Sequence, residues 1–529
     1  MSASLLAILI VSVLLAALAR QRDISAPLLL VVAGLIAGVI PGVREVVDIE
    51  LDPELVLTVV LPPLLWSAGL SSSYLRLRAN KRSIGLLAVG LPLATTFVVG
   101  LVAYHTVPDL TLAAALVLGA IVAPPDAVSA TAIGRRLGLP RRAMTLLGGE
   151  SLLNDATALT AYKVSLAAAV GAAAGWGESI ETFVLAAVGG LAVGLVLGAL
   201  IVLLRSRLDD PVSESAIGLV APFGIYLAAE QIHGSGVLAV VVAALILGQR
   251  STRASYATRL QDTAVWRAVQ LVLESFAFLL IGLQLPSVVD ALKGIPAALI
   301  ITSSLAVFGA VLAVRIAWVY PFAYLPRLLS PRVRAAEPAP TAGQVFIVAW
   351  AGMRGVVSLA AAFGVPLVTL SGDAFPGRPH IIFLTFVVVV GTLLLHGLTL
   401  PWLIRRFGRP GEQARADTLA AATAADAAAR AAEGRLDAMI ADPDAEVDDR
   451  AAAVLRAWNG RRRSSAWERV EGCDPEGTPA AVFRDMRLQM LAAERTALVA
   501  ERDSGAIDDE VLRSMLYGLD LEEAMLNRR

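Results

Sequence analysis

GGESLLNDATAL, residues 148–159, sets Glu150, Ser151, Asn154 and Asp155 close together inside a long apolar stretch. A hydrocarbon environment should punish all four, so each needs a reason to be there, because an ionisable side chain at membrane depth costs a few kcal/mol or more. The rest of the chain shows that the environment is hydrocarbon. Hydrophobic residues make up 57% of the 529 positions, the mean hydropathy is +0.71, and apolar runs of about twenty residues recur from Leu5 to Ile404. The pattern predicts an all-α polytopic membrane protein. Its first fifteen residues carry no Lys or Arg, so they read as a retained first span rather than a cleaved leader.

Thirteen spans are predicted, near residues 4–20, 27–42, 54–71, 83–104, 110–134, 143–170, 180–204, 212–230, 234–249, 267–285, 295–322, 343–368 and 380–404. One alternate set of connections collects the positive charge: Arg20 and Arg22, Arg76 to Arg82, Arg135 to Arg142, Arg205 and Arg207, Arg250 to Arg267, Arg327 to Arg334, and Arg405 to Arg409. The other set holds Arg44, Lys293 and Arg378. Short loops rich in Lys and Arg stay cytoplasmic, so the N-terminus is expected outside and the C-terminus inside a bacterial plasma membrane. Residues 1–408 form the membrane domain on this reading. Residues 409–529, rich in Ala, Glu, Asp and Arg with apolar positions at helical spacing, form a cytosolic helical tail. That tail either regulates or assembles the protein, or is a solvated appendage.

Within the spans, Asp126, Glu150, Asp155 and Arg354 stand out, with Arg315 and Lys163 as further members. A helical rise of about 1.5 Å per residue puts Asp155 about 18 Å, Asp126 about 12 Å and Arg354 about 16 Å from the cytoplasmic edge. Glu150 and Arg315 both fall near 10 Å, which predicts a buried ion pair between them. Ser151 precedes Asp155 by four residues and Asn154 by three, so the three share a helix face. A hydroxyl, an amide and a carboxylate are hard oxygen ligands suited to sodium, potassium or lithium, and the same carboxylate can hold a proton instead. The plainer alternative is that Ser151 and Asn154 simply bond across helices.

IVAPPDAVSATAIG, residues 121–134, contains Pro124 and Pro125, which remove backbone donors and predict a break in the fifth span at Asp126. WAGMRGVVSLAAAF, residues 350–363, flanks Arg354 with Gly352 and Gly355 and predicts a weaker break in the twelfth. These two spans cross in opposite directions, which points to an inverted-repeat transporter with its site at the midplane. Arg354 either offsets the negative ends of the broken helices and the acidic cluster, or balances charge structurally. Lys163 either lines an outer cavity or snorkels; Glu230 and His233 are expected exposed, and Glu274 is a candidate for a core-facing polar contact.

Together with GIYLAAEQIHGSGVLAVVVAALILG (224–248) and FLLIGLQL (278–285), these motifs resemble the sodium/proton antiporters of the NhaP and mammalian exchanger type in their bacterial form, across residues 1 to about 408. The resemblance implies a thirteen-helix fold with a dimerisation domain and a six-helix core moving in an elevator-like fashion, working as a homodimer in pH and sodium homeostasis. It implies that Asn154 and Asp155 mark the electroneutral branch, that Asp155 binds the cation or the proton, and that Asp126 and Ser151 belong to the ion site. It also implies that Glu150 partners Arg315. The chain departs from the pattern at Pro125, where many bacterial members have threonine, so a hydroxyl ligand is replaced by what a backbone carbonyl can offer.

The substrates expected are therefore Na+, or Li+ or K+, and H+, in a lipid bilayer. No cofactor and no nucleic acid partner are expected. H-E-x-x-H, G-x-S-x-G and P-loop strings are absent from the sequence, which argues against an intramembrane hydrolase or an ATP-driven pump. The single cysteine, Cys473, allows no disulfide framework. A passive cation channel is the remaining rival, to be separated by proton coupling.

Overall fold

The computed structural model describes residues 3–22, 24–40, 56–108, 110–126, 130–131, 133–134, 137–172, 176–208, 210–251, 254–290, 292–331, 334, 339–408, 410–442, 448–468, 470, 479–504 and 508–527. Two compact units result, Met1–Pro410 and Gly411–Arg529. Among the described residues no β-strand occurs; they hold one isolated β-bridge, Val368 with Ala374. Helices, which satisfy every backbone amide within one segment, are one of the two solutions open to a chain where no water is present to bond them. Cys473 lies outside the described residues.

The longer helices of the first unit are α1 (Ala3–Gln21), α2 (Ala26–Val39), α3 (Leu61–Ser71), α4 (Leu91–Thr106), α5 (Leu112–Ile121), α6 (Arg141–Val170) and α7 (Trp176–Arg205). They continue as α8 (Pro211–Gln231), α9 (Gly236–Arg250), α10 (Tyr256–Leu283), α11 (Ala297–Leu329), α12 (Ala342–Trp350), α13 (Val356–Phe363) and α14 (Arg378–Phe407). Helix thus occupies each of the thirteen apolar segments. Among the described residues seven helical stretches are long and apolar enough to cross a membrane unaided. The 30-residue α6 is not one of them, because it carries the charged residues with which the sequence reading began. α12 and α13 are each too short, because the twelfth segment is interrupted.

Local chemistry sets many of the boundaries. The Thr111, Ser235 and Ser255 hydroxyls accept from the backbone N–H of Ala114, Leu238 and Thr258, capping α5, α9 and α10. Thr341 and Gln344 form a reciprocal capping box that starts α12. The cap at Ser255 corrects the expected start of the tenth span: the helix begins at Tyr256 rather than near 267 and carries Arg259, Asp262 and Arg267 within it. There Arg205 donates to Asp262 (2.7 Å). α11 likewise runs past 322 to Leu329 despite Pro321 and Pro326.

Packing follows from where small residues lie. α5 is apolar around its circumference and buried, with Ala114, Ala115, Val117, Leu118 and Ile121 all in the core. Gly190, Gly194 and Gly198 of α7 lie against Ser235, Ala239 and Ala243 of α9, so the two backbones approach closely where apolar side chains alone supply no drive in lipid. Another tight crossing joins α2 and α10. A Cβ on Gly282 would lie 2.4 Å from the Val31 carbonyl oxygen and 2.7 Å from the Gly34 Cα.

The second unit comprises α15 (Pro410–Ile440), α16 (Asp449–Glu468), α17 (Pro479–Asp503) and α18 (Asp509–Leu526). Asn459 of α16 donates to the Ala429 carbonyl of α15 (2.9 Å). α17 and α18 form a hairpin in which Arg487 grips both Glu522 oxygens (2.7 and 2.7 Å) and also Glu494 (2.7 Å). The Arg487 guanidinium holds the Glu522 carboxyl below the usual carboxylate range. A carboxyl lowered by folding contributes stability that is present near neutrality and lost as pH falls through its folded value. Amide protection of α18, taken relative to the intrinsic exchange rate at each pH, is therefore expected to fall on acidification below about pH 4, and Arg487→Ala is expected to bring the lower protection at pH 7. Unchanged α18 protection in the variant would show that apolar packing alone holds the hairpin.

Candidate functional site

Both predicted breaks form, and they meet. After α5 ends at Ile121, residues 122–126 leave helical geometry, and residue 130 is again helical. α12 ends at Trp350, and α13 starts at Val356 after a non-helical stretch over 351–355. The Asp126 N–H, freed from any helix, donates to the Met353 carbonyl (2.7 Å). Gly355 supplies the room for this crossing. A Cβ there would stand 2.6 Å from the Asp126 Cβ and 2.7 Å from its Oδ2. Gly355→Ala is accordingly expected to cost about 1–3 kcal/mol through overpacking and to displace the Asp126 carboxylate. A lowered melting temperature together with weakened ion binding would register it; a variant indistinguishable from wild type in both would show that the crossing tolerates a methyl group.

α6 completes the arrangement. Asn154, fully buried, donates through Nδ2 to the Pro125 carbonyl (3.0 Å). That carbonyl and the Asp126 N–H belong to the same peptide unit. One peptide plane is therefore held at both ends, by α6 through its oxygen and by the interrupted twelfth segment through its nitrogen. Asp155, next to Asn154 on α6, is 9% exposed. Ser151, one turn before Asp155, is half-buried.

Two arginines stand at the cut ends of the helices. Arg315 pairs in two-pronged fashion with Glu150 (2.5 and 2.9 Å), both side chains being almost wholly buried. The same guanidinium donates to the Val348 and Ala349 carbonyls (3.1 and 3.0 Å), the last turn of α12. Those carbonyls have no helical partner and carry the negative end of the half-helix dipole. Arg354, also fully buried, donates through Nη1 to the Ala123 carbonyl (2.5 Å), just beyond the end of α5. Each arginine thus caps a broken helix, and Arg315 also neutralises Glu150.

Sequence reasoning missed the part played by α14. Thr392 Oγ1 accepts from the Arg354 backbone N–H (3.0 Å), and Thr399 Oγ1 accepts from Trp350 Nε1 (2.9 Å), so two hydroxyls steady the unwound stretch. Threonines in apolar helices mostly bond their own backbone, as these also do to Val389 and Leu395, so nothing in the local sequence singled them out. Lys163 pairs with Glu230 (2.6 Å), the two side chains being 52% and 32% exposed, and Glu230 also accepts from the Gly236 N–H at the start of α9. Glu230, expected to be simply exposed, is therefore engaged. His233 is exposed and occupies the left-handed turn after α8. Glu274 accepts from Gln270 one turn earlier (2.5 Å).

Among the described residues, three carboxylates (Asp126, Glu150, Asp155) and two guanidiniums (Arg315, Arg354) gather at the break. With all five ionised they leave one negative charge.

Comparison with known proteins gives the family. Residues 6–406 match the family model described as sodium/hydrogen exchanger, transmembrane. The chain is 35% identical to an uncharacterised Na(+)/H(+) exchanger of Mycobacterium bovis over 96% of its length and 93% of the relative. It is 33% identical to the Na(+)/H(+) antiporter NhaP of Pseudomonas aeruginosa, over 68% of this chain and 83% of that protein. Among solved structures it is similar in fold to the sodium proton antiporter of Methanocaldococcus jannaschii at pH 8, with a TM-score of 0.55 at 18% identity, covering 77% of this chain and 98% of that one. A family model that spans nearly the whole of the first unit, together with relatives matched along most of their length, identifies this chain as a member of the sodium/hydrogen exchanger family.

Proposed function

We propose that the chain is a secondary antiporter that exchanges one monovalent cation, sodium before lithium or potassium, for one proton across a bacterial plasma membrane. Asp155 and Asp126 are the alternating carriers of cation and proton, with Ser151 and Asn154 completing the site. The observation that carries this reading is the single surplus negative charge beside two crossed, interrupted helices. A cation and a proton compete for that charge, so loading one expels the other. Equal charge then moves each way, which is electroneutral exchange. Glu150, Arg315, Arg354 and the clamped Pro125 peptide hold the frame and do not carry the ion. The Pro125 oxygen, already bonded to Asn154, keeps a second lone pair that can face a cation.

The proposal includes thirteen crossings with the inverted repeat, the N-terminus outside and the C-terminus inside, supported by the charge asymmetry of the loops. It also includes a homodimer, and a cytosolic regulatory or assembly role for residues 411–529. A passive channel conducts a cation without moving protons. Everted vesicles holding an imposed pH gradient separate the two: addition of sodium or lithium is expected to collapse the gradient. Cation uptake with an unaltered gradient would overturn exchange, and running sodium, lithium and potassium over pH 5 to 9 ranks the cations.

A further inference from the structure

We propose that α16 of the second unit docks on the anionic surface of the lipid bilayer, with its outward face sunk into the headgroup layer. The inference rests on the membrane embedding of the first unit and on the cytoplasmic C-terminus proposed above.

One face of α16 is already committed. Arg456 donates to Asp437 (2.6 Å), Asn459 to the Ala429 carbonyl (2.9 Å), and Arg463 meets Asp426 (2.5 Å), all on α15, while Ala452 is buried. Residues 452, 456, 459 and 463 form a single stripe at about 100° per residue. The opposite side of the helix carries Arg450, Val454, Trp458 and Arg461, flanked by Leu455 and Arg462, and all six are exposed. Val454 is 64%, Leu455 50% and Trp458 51% exposed. The Arg462 guanidinium lies over the Trp458 ring, 4.8 Å from its centre, an attraction of cation to aromatic face. Three apolar side chains thus stand together on an outward surface, with an arginine one turn before them and two one turn after.

That combination suits an interface between water and lipid. An indole and two aliphatic side chains enter the boundary between headgroups and acyl chains, and the long arginine side chains rise to the phosphates. Charge makes the choice of partner. Residues 411–529 hold 24 carboxylates against 16 arginines, yet α16 holds five arginines against Asp449 and Glu468. An acidic unit is repelled by the anionic cytoplasmic leaflet everywhere except at such a helix. A second copy offers the same positive face, and a two-fold contact would set arginine against arginine. The chain also supplies the reach. Asp426, which holds the basic end of α16, follows Pro410 by sixteen residues of α15, about 24 Å of helix from where α14 gives out.

The test is amide hydrogen exchange of residues 449–464 in the full-length protein, held in nanodiscs of phosphatidylcholine alone or mixed with an equal part of phosphatidylglycerol. Exchange is expected to be about tenfold slower in the anionic discs, and salt at about 0.5 M should erase the difference. Trp458→Ala and the pair Arg461→Gln with Arg462→Gln should each erase it too, whereas the pair Arg461→Lys with Arg462→Lys should keep it. These side chains are exposed, so exchange in α15 serves as the control for folding. Equal exchange in both discs, slowing indifferent to salt, or full protection in the glutamine pair would overturn the docking. Equally slow exchange in detergent would also overturn it, by showing that protein covers the face. Failure of the antiport reading is separate: it would appear as sodium-indifferent proton movement in wild-type vesicles, which this measurement does not use.

Discussion

Asp155→Asn is expected to reduce cation-driven proton movement in everted vesicles to the level of vesicles lacking the protein, a fall of at least about a hundredfold. Asparagine keeps the size and most of the shape of the side chain, but it can neither neutralise a cation nor accept a proton near neutral pH. The loss of an interaction with a charged group, about 1.5–3 kcal/mol, converts to about one to two powers of ten in affinity at 1.4 kcal/mol each. Loss of the proton carrier removes what exchange remains. Folding should survive, so the variant's melting temperature serves as the control. In the wild-type protein the apparent affinity for sodium should fall about tenfold per pH unit on the acid side, because the two ligands exclude each other at one group and linkage is reciprocal. Residual exchange in Asp155→Asn, or sodium affinity indifferent to pH, would remove Asp155 from the centre of the mechanism.

The second large effect concerns the buried pair. Removing one member of a desolvated ion pair leaves a charge without compensation and typically costs about 3–5 kcal/mol. Glu150→Gln and Arg315→Gln are each expected to lower thermal stability on that scale in detergent. They should not be equal. Arg315 also closes the end of α12 through Val348 and Ala349, so its loss strips two carbonyls of partners as well. The double variant should be more stable than the sum of the single losses predicts, with a coupling of about 0.5–3 kcal/mol. Strict additivity would mean that the two groups are solvated independently. Partial recovery that stops at the Arg315→Gln value would isolate the cap from the pair.

Much of this was legible in the sequence, and the reason is specific. Pro124 and Pro125 cannot continue a helix in any environment, so the break at Asp126 is a local property. The Glu150–Arg315 pair lies 165 residues apart in the chain, yet two lone opposite charges at matched depth in hydrocarbon have few other partners. The break after Trp350 was a weaker inference, since Gly352 and Gly355 permit it without compelling it. Its cause is tertiary: Asp126 needs a backbone acceptor, and Met353 provides one. The hydroxyls of Thr392 and Thr399 were hidden because a threonine that bonds its own helix looks the same as one that also serves a neighbour. The pairing of Lys163 with Glu230 depends on how α6 meets the turn between α8 and α9, which no periodicity reveals. The early start of α10 was obscured by Arg259, Asp262 and Arg267, whose charges depress hydropathy while Ser255 caps the helix all the same.

The peptide unit joining Pro125 to Asp126 has its oxygen fixed by Asn154 and its N–H fixed by Met353. A bond plane pinned from two sides cannot swing to suit ions of different radius. If Asp126 and Asp155 hold the ion as proposed, any adjustment between small and large alkali metals must come from rotation about their χ angles and from water retained around the ion. Discrimination among cations becomes a matter of how much hydration shell a stiff aperture strips away, and loosening either fastening should broaden the range of ions admitted before it slows their passage.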